Sequence, residues 1–251
     1  MFPVTHLYVA QRVLGTLNPH IVLGSLFPDM AVAGLMSWNQ SHRCGRPFMK
    51  CSSGNGRLAE FGLGILMHGV EPEGLDYYGD EKYEPYDRGV SFEWGKPLIP
   101  SVQETCNLPR ETAAWKSHNF IEMAIEREIA LRNPALCEAL ASAFKAPSAI
   151  VEVSEALGSC FSLDPKRIVR GYDRLQYYIE AWPDAYLKLA SKYSLQLQAK
   201  HQVFVEAEAL VPILERAGKI VSSRWENLLD GLISPIRGMV EKETGMKSLR
   251  G

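Results

Sequence analysis

The sequence contains six histidines, and two of them lie next to carboxylates at spacings that suit a metal site. His118 and Glu122 are four residues apart in a predicted helix, which places an imidazole and a carboxylate on one face, one turn apart. His68 ends the apolar segment FGLGILMH, and the turn that follows it presents Asp76. Zinc takes histidine nitrogen and carboxylate oxygen as ligands and lowers the pKa of bound water toward ~7. These residues could therefore hold a metal ion that acts in hydrolysis, although the His118–Glu122 spacing often gives only a side-chain hydrogen bond and a lone histidine such as His68 is more often a core residue.

Asp29 is the most informative single carboxylate. It lies in the apolar segment LGSLFPDMAVAGLM, where an isolated buried carboxylate is costly and should be paired, hydrogen-bonded or metal-bound. The alternative is that Asp29 caps a helix that starts at Met30.

The other histidines are ambiguous when each is taken alone. His42 lies in a polar loop, which is typical of a surface residue, and His6 lies on an amphipathic helix, which is typical of a core residue. His20 and His201 are interpreted as structural or exposed, with no assigned role.

Taken in order, these residues resemble the zinc-dependent phospholipase C family. They are also similar to the N-terminal domain of glycosylphosphatidylinositol-specific phospholipase D and, more distantly, to the single-strand nucleases of that fold. The matching elements lie in the part of the chain before the LRNP segment at 131–134. They are Thr5-His6 in THLYVAQRVL, GSLFPD ending at Asp29, His42, FGLGILMHG with His68, and HNFIE with His118 and Glu122.

The resemblance implies an all-α fold that holds two or three zinc ions. The implied metal ligands, together with Asp76 at the spacing used by the phospholipase D relatives, are His6, Asp29, His42, His68, Asp76, His118 and Glu122. Asp29 is also the implied catalytic residue, which positions or activates the attacking water. We expect two zinc ions, with manganese, iron or nickel as open alternatives.

One position departs from the family pattern. The family has an aspartate four residues after the histidine that corresponds to His68, where it bridges two zinc ions, whereas this chain has Pro72. The departure predicts a reduced number of ions, or compensation by Glu71 or Glu73. It also motivates a second hypothesis, a non-catalytic metal-binding or scaffold protein descended from the same family.

Substrate-binding residues are less specifically indicated. Arg43 and Arg46, with Lys50 and Arg57 in the same loop, could attract a phosphate, although a solvated loop is the favoured interpretation of these four residues. Tyr78 could contact substrate, with the other aromatic residues of its segment lining or covering a pocket or merely packing on the helices. Those residues are Tyr77, Tyr83, Tyr86, Phe92 and Trp94.

The elements that position these residues are predicted to be helical throughout, because strand-type alternation is nearly absent. We expect a single all-α domain over residues 1–251, in which residues 1–131 carry the metal site and residues 132–251 form supporting amphipathic helices. Thr5 is a plausible N-cap for the first helix, and Pro109 suits the first turn of a helix over 108–132. The other predicted helices span 58–69, 134–145, 147–160, 165–181, 183–198, 200–216 and 219–241, with kinks or breaks expected at Pro212 and Pro235. Residues 38–57 and 71–107 are predicted loops.

Composition sets wider limits. A net charge of −2 gives no case for non-specific nucleic-acid binding. No segment is long and apolar enough to span a bilayer, and the first residues do not resemble a signal peptide. The five cysteines include no CxxC pair, so we expect reduced thiols and a cytoplasmic location. The expected partner is a small-molecule or lipid phosphoester, and a homodimer is compatible with the C-terminal helices.

Overall fold

The computed structural model describes residues 2–82 and 85–245, which are helical and contain no β-sheet, as the sequence predicts. The α-helices are α1 Pro3–Leu14, α2 Pro19–Ala31, α3 Trp38–Ser41, α4 Gly45–Cys51, α5 Gly56–His68, α6 Leu75–Asp80, α7 Val90–Gly95, α8 Ile99–Thr105, α9 Arg110–Arg132, α10 Pro134–Phe144, α11 Pro147–Phe161, α12 Pro165–Tyr178, α13 Tyr186–His201, α14 Ala207–Val221 and α15 Trp225–Thr244. A short 3₁₀ helix, Lys96–Leu98, precedes α8.

The two predicted loops contain short helices instead. Residues 38–57 form α3 and α4 and the start of α5, and residues 71–107 contain α6, α7 and α8. Polar residues that indicate a loop in the sequence act as caps here. The Ser37 side chain and the Gln40 side chain form a reciprocal capping box at the start of α3. Asn55 accepts two backbone N–H bonds at the start of α5.

The predicted starts of two helices in the site-bearing part were wrong. α1 begins at Pro3, so Thr5 lies inside the helix and Phe2 is the N-cap. Pro109 is the N-cap residue of α9 rather than part of its first turn. In α1, by contrast, Pro3 does occupy the first turn, where the backbone N–H that proline lacks would have no partner within the helix.

The C-terminal helices also differ from their predicted spans. The helix predicted over 200–216 begins only at Ala207, and the one predicted over 219–241 begins at Trp225. Pro212 and Pro235 lie within α14 and α15, so the breaks expected at these prolines are absent from both helices.

The helices α2 and α5 approach each other closely because glycines face the crossing. A Cβ atom added at Gly24 would lie 2.0 Å from the Phe61 carbonyl oxygen, and one at Gly64 would lie 2.4 Å from the Ile21 carbonyl oxygen. Side chains larger than hydrogen would force the backbones apart. The two glycines therefore bring together the C-terminal ends of α2 and α5, which carry the candidate ligands of these helices.

One apolar cluster runs through both parts of the chain, from Val4 in α1 to Val240 in α15. Its largest fully buried side chains include Trp225, Tyr172 and Phe27. None of the described helices combines the length and apolar character needed to cross a membrane.

A disulfide joins Cys51 at the end of α4 to Cys160 in α11, across 109 residues of sequence. The expectation of reduced thiols was therefore wrong for these two residues, whose spacing carries no disulfide signal in the sequence. Cys44, Cys106 and Cys137 are free and buried, as expected.

Candidate metal centre

Three groups of possible metal ligands adjoin one another. In each group the ligand atoms lie within 4.8 Å of one another. In order, the first, second and third groups are His6–His68–Asp76, Asp29–His42–His68 and Asp80–His118–Glu122. The structure thus brings together all seven ligands expected from the sequence and adds Asp80.

The first two groups share His68, at the end of α5. Its Nδ1–H donates a hydrogen bond of 2.7 Å to the Ser25 carbonyl oxygen of α2, so the glycine-lined crossing fixes the ring. The His6 ring stacks on the His68 ring, with centroids 3.7 Å apart and planes 4° apart. Three helices, α1, α2 and α5, therefore hold the shared imidazole.

Asp29 lies third from the end of α2, so the alternative that it caps a following helix is wrong. Its Oδ1 lies 3.8 Å from His42 Nε2. The side chain is 47% exposed rather than buried, because it lines a large cavity.

The imidazoles of His42, His68 and His118 are oriented in the same way. In each ring Nδ1 lies within hydrogen-bonding distance of a backbone carbonyl oxygen, and the carbonyls belong in that order to Trp38, Ser25 and Trp115. Since a carbonyl can only accept, these contacts favour a proton on Nδ1, and in the neutral ring Nε2 then keeps its lone pair; in His42 the Ser41 hydroxyl also lies 2.8 Å from Nδ1. This is the arrangement in which histidine binds a metal through Nε2.

Asp76 lies among three imidazoles. Its carboxylate oxygens are 3.4 Å from His6 Nε2, 3.3 Å from His42 Nε2 and 3.2 Å from His68 Nε2. Burial acts to raise the pKa of Asp76, but nearby positive charge, including that of the imidazoles, holds the pKa well below its usual value. Asp76 thus lies between the first two groups, which is the role that the resemblance gives to an aspartate at position 72.

The third group is carried by α6 and α9. Burial and the nearby carboxylates of Asp76 and Asp29 raise the pKa of Glu122 to about 7. Burial and the proximity of Glu122 raise the pKa of Asp80 well above its usual value. Burial lowers the pKa of His118 to about 3, so this imidazole is neutral at neutral pH.

Asp80 is absent from the ligands that the sequence predicts, although a signal is present. It follows Asp76 by four residues, and α6 places both carboxylates on one face. The composition of the segment indicates a loop, which hides this helical spacing. Glu71 and Glu73, the expected substitutes, are both exposed, and Glu71 pairs with Arg43 at 2.7 Å.

Glu126 is a second residue that sequence reasoning missed. Its carboxylate is buried and accepts hydrogen bonds from the backbone N–H of Val4 (2.7 Å), the backbone N–H of Thr5 (2.8 Å) and the Thr5 hydroxyl (2.8 Å). It therefore caps α1 from a different helix and fixes the residue next to His6. The spacing of four residues from His118 to Glu122 and again to Glu126 is the signal that points to it.

The donor set fits a bound divalent cation. His42 Nε2, His68 Nε2 and Asp80 Oδ1 are buried, and within the described ranges none makes a hydrogen bond of good geometry, although an Asp76 oxygen lies 3.3 Å from the first and 3.2 Å from the second. Buried polar atoms normally have partners, and their absence calls for an explanation. A cation bound by these atoms supplies one, and it would also stabilise the adjacent carboxylates of Asp80 and Glu122.

The groups adjoin a cavity of about 1170 Å³. All of the ligands except His68 line it, and α9, α12 and α13 supply much of the remaining wall. Its aromatic lining residues are Phe2, Trp38, Trp115, Tyr177, Tyr178 and Tyr193. A space of this size accommodates an organic substrate.

The predicted substrate-binding residues lie elsewhere. Arg43 is paired with Glu71, and Arg46 makes two hydrogen bonds of 2.7 Å to Glu243, so both guanidinium groups are already engaged. Neither arginine lines the cavity, and nor does Tyr78.

The aromatic residues named with Tyr78 in the sequence do not line the cavity among the described positions, and Tyr83 lies outside the described residues. Phe92 nevertheless contacts the site, since its ring stacks on His118 with centroids 4.2 Å apart.

The two histidines without an assigned role lie apart from the ligand groups. His20 pairs with Glu152 at 3.1 Å. His201 lines the cavity, and its Nε2 lies 2.7 Å from Lys116 Nζ.

No known protein family, curated protein or solved structure matches this chain. The resemblance to zinc-dependent phospholipases C therefore rests on the order of these residues in the sequence and stays an expectation.

Proposed function

We propose that this protein is a metal-dependent hydrolase of phosphoester bonds that resembles zinc-dependent phospholipase C. The observation that carries the proposal is the set of three adjoining histidine–carboxylate groups that the described residues form beside a large cavity. Zinc is the metal that this donor set fits best, with manganese, iron and nickel as alternatives. When bound, such an ion supplies hydroxide at neutral pH and offsets charge on a phosphoryl oxygen.

The chain's own residues prepare the site for this chemistry. His42, His68 and His118 can each present the lone pair of a neutral ring at Nε2, since their Nδ1 atoms face backbone carbonyls. Asp76 is kept ionised among imidazoles and can contribute to two ion positions. In the third group Asp80 adds a carboxylate to that of Glu122, and the two repel each other unless a cation lies between them.

Asp29 is the proposed catalytic residue. Its carboxylate is the one member of the second group that is substantially exposed to the cavity. From there it can accept a proton from a water molecule and orient that water toward a phosphorus atom.

The scaffold alternative loses its main support. It is motivated by Pro72 in place of a bridging aspartate, but Asp76 lies between the first two groups and Asp80 completes the third. The substrate, whether soluble or lipid, and the homodimer remain predictions. So does the cytoplasmic location, against which the Cys51–Cys160 disulfide counts, because such bonds are commoner in oxidising compartments.

Elemental analysis of the purified protein, followed by assays on bis(p-nitrophenyl) phosphate and p-nitrophenyl phosphate, tests the proposal. We expect bound zinc, turnover that chelation removes, and loss of turnover in Asp29→Asn with zinc retained in at least the other groups. Asp173→Asn on the exposed side of α12 is the matched control and should keep full activity. A folded protein that binds no divalent metal would overturn the proposal, and tight zinc binding without turnover on any phosphoester would favour the scaffold alternative.

A further inference from the structure

Acidic and basic residues that line the cavity come from different sets of positions. Every acidic residue that lines it is a candidate metal ligand, namely Asp29, Asp76, Asp80 or Glu122. The lining lysines and arginines come from other positions, and they are Lys116, Arg167, Arg170, Arg174 and Lys200. A ligand in the cavity would thus meet both the metal groups and positively charged side chains.

Three of these cations belong to α12, which is fixed directly on α2. A Cβ atom added at Gly171 would lie 2.4 Å from Met30 Sδ, so the two helices touch at the residue that follows Asp29. The Tyr172 hydroxyl donates a 3.0 Å hydrogen bond to the Leu23 carbonyl oxygen and secures the same contact. The arginines on either side of this contact are therefore held at a fixed distance from the end of α2.

Arg170 and Arg174 are available to a ligand. Both are exposed, and no acidic side chain in residues 2–82 and 85–245 forms an ion pair with either. By contrast, Arg167 donates a 2.6 Å hydrogen bond to the Gly34 carbonyl oxygen. Two like charges four residues apart on a helix repel each other, and an anion between them would relieve that repulsion.

Phosphate is the anion that this arrangement suits. Guanidinium groups bind phosphate through two parallel hydrogen bonds, and two of them one turn apart can hold a single phosphate group from both sides. The proposed function places the reacting phosphate at the metal groups. A phosphate bound by Arg170 and Arg174 would therefore be a different one.

We propose that Arg170 and Arg174 bind a second phosphate group of the substrate, so that the preferred substrates are phosphoesters that carry an additional phosphate. This inference rests on the proposed function, because it takes the metal groups as the place of the reacting phosphate. It makes α12, in the C-terminal half of the chain, the element that selects among phosphoesters.

Calorimetric titration of the zinc-loaded protein with thymidine 3′,5′-bisphosphate and with thymidine 5′-monophosphate tests the inference without requiring turnover. We expect wild-type protein to bind the bisphosphate about tenfold more tightly, the gain from one additional charge-assisted contact. In R170A/R174A this preference should fall to less than about threefold, with little change in monophosphate affinity.

The control variant K145A/K166A removes two exposed positive charges that do not line the cavity and should keep the preference. Thermal unfolding followed by circular dichroism establishes that both variants are folded. Equal affinity for the two nucleotides in wild type, binding of neither, or a preference that survives in R170A/R174A would each overturn the inference. A failure of the proposed function is a different result, namely absence of bound zinc or of turnover.

A second arm identifies the source of the additional phosphate. Vesicles of phosphatidylcholine with and without about 10% phosphatidylinositol 4-phosphate are sedimented with wild type and with R170A/R174A. Binding that depends on the phosphoinositide and on the two arginines supports the inference with a lipid headgroup as the source. Nucleotide preference without vesicle binding supports it with a soluble substrate as the source.

Discussion

Glu126 of α9 holds Thr5 of α1 by two hydrogen bonds, one to its backbone N–H and one to its hydroxyl, across 121 residues of sequence. With the third bond to Val4, this carboxylate replaces the cap that α1 lacks in its own sequence, since Phe2 has no side-chain acceptor. The histidine that stacks on His68 is thereby fixed at the start of its helix.

Glu126→Ala should destabilise the protein. The backbone N–H groups of Val4 and Thr5 and the Thr5 hydroxyl, all in the protein interior, would lose the carboxylate that accepts their hydrogen bonds. We expect the free energy of unfolding in urea to fall by about 1–3 kcal/mol. Glu138→Ala, at an exposed position of α10, is the control and should change it by less than about 0.5 kcal/mol. Equal stabilities of the two variants would contradict the capping role.

Glu126 also makes a pH-dependent contribution to stability. Burial raises the pKa of Glu126 from 4.5 to about 7, against the hydrogen bonds that lower it. Between pH 4.5 and about 7, Glu126 keeps its proton in the folded protein but has lost it in the unfolded chain. This contribution is therefore fully present below pH 4.5 and is lost as the pH rises through about 7.

Comparison with Glu126→Gln isolates that contribution, because glutamine does not titrate. Between pH 4.5 and about 8 the unfolding free energy of wild type should fall relative to that of Glu126→Gln by about 3 kcal/mol. Both proteins are measured with a chelator present, so that the ligand carboxylates behave alike in each. A difference that stays constant with pH would show that the carboxyl does not change its protonation on unfolding.

Asp76 and Asp80 should differ in their effect on metal content. Asp80→Ala removes a ligand of the third group alone, so we expect the loss of about one ion per chain by elemental analysis. Asp76 lies between the first two groups, so Asp76→Ala should weaken metal binding in both. Glu73→Gln, at an exposed position that the sequence offers as a substitute ligand, should bind as much metal as wild type. Identical metal content in the two aspartate variants would argue against separate groups.

The close crossing of α2 and α5 predicts a strong effect of small substitutions. In Gly24→Ala the new methyl group would meet the Phe61 carbonyl oxygen, so we expect the unfolding free energy to fall by about 1–3 kcal/mol and zinc affinity to fall with it. Gly231→Ala in the middle of α15 meets nothing within 4 Å and should stabilise the protein by about 0.5–1 kcal/mol. Similar outcomes for both variants would be incompatible with the tight crossing.

The disulfide should contribute to stability through the length of chain that it closes. Removing a crosslink across 109 residues in C51S/C160S should lower the unfolding free energy by about 2–5 kcal/mol. Reduction of wild-type protein with dithiothreitol should give the same loss, and reduction should not affect the double variant. If all five cysteines react as free thiols in denatured protein that was never reduced, the bond does not exist.

The all-α fold class could be predicted from the sequence because it depends on local spacing, and the proximity of the seven candidate ligands could be expected because their order along the chain carries the resemblance. Asp80 could not be found in this way, since the short helix α6 lies in a segment whose Gly, Pro and aromatic content is typical of a loop. Tertiary packing rather than local composition stabilises such a helix.

The cavity wall could not be predicted for a different reason. Arg170 and Arg174 are far from every expected ligand in sequence, and they approach Asp29 only through the Gly171–Met30 contact between α12 and α2. A contact of this kind leaves no local pattern in the residues on either side. Arg43 and Arg46, by contrast, are close to His42 in sequence, yet their salt bridges with glutamates keep them away from the cavity.

Helix α9 has a consequence for how the sequence can change. Lys116, His118, Glu122 and Glu126 are spaced so that one helix supplies a cavity cation, two ligands and the cap of α1. A single-residue insertion or deletion between positions 118 and 126 would rotate the residues beyond it by about 100° relative to those before it. A single substitution in this segment affects only the role of that residue, whereas a change in its length separates these roles from one another, so related chains should align across it without gaps.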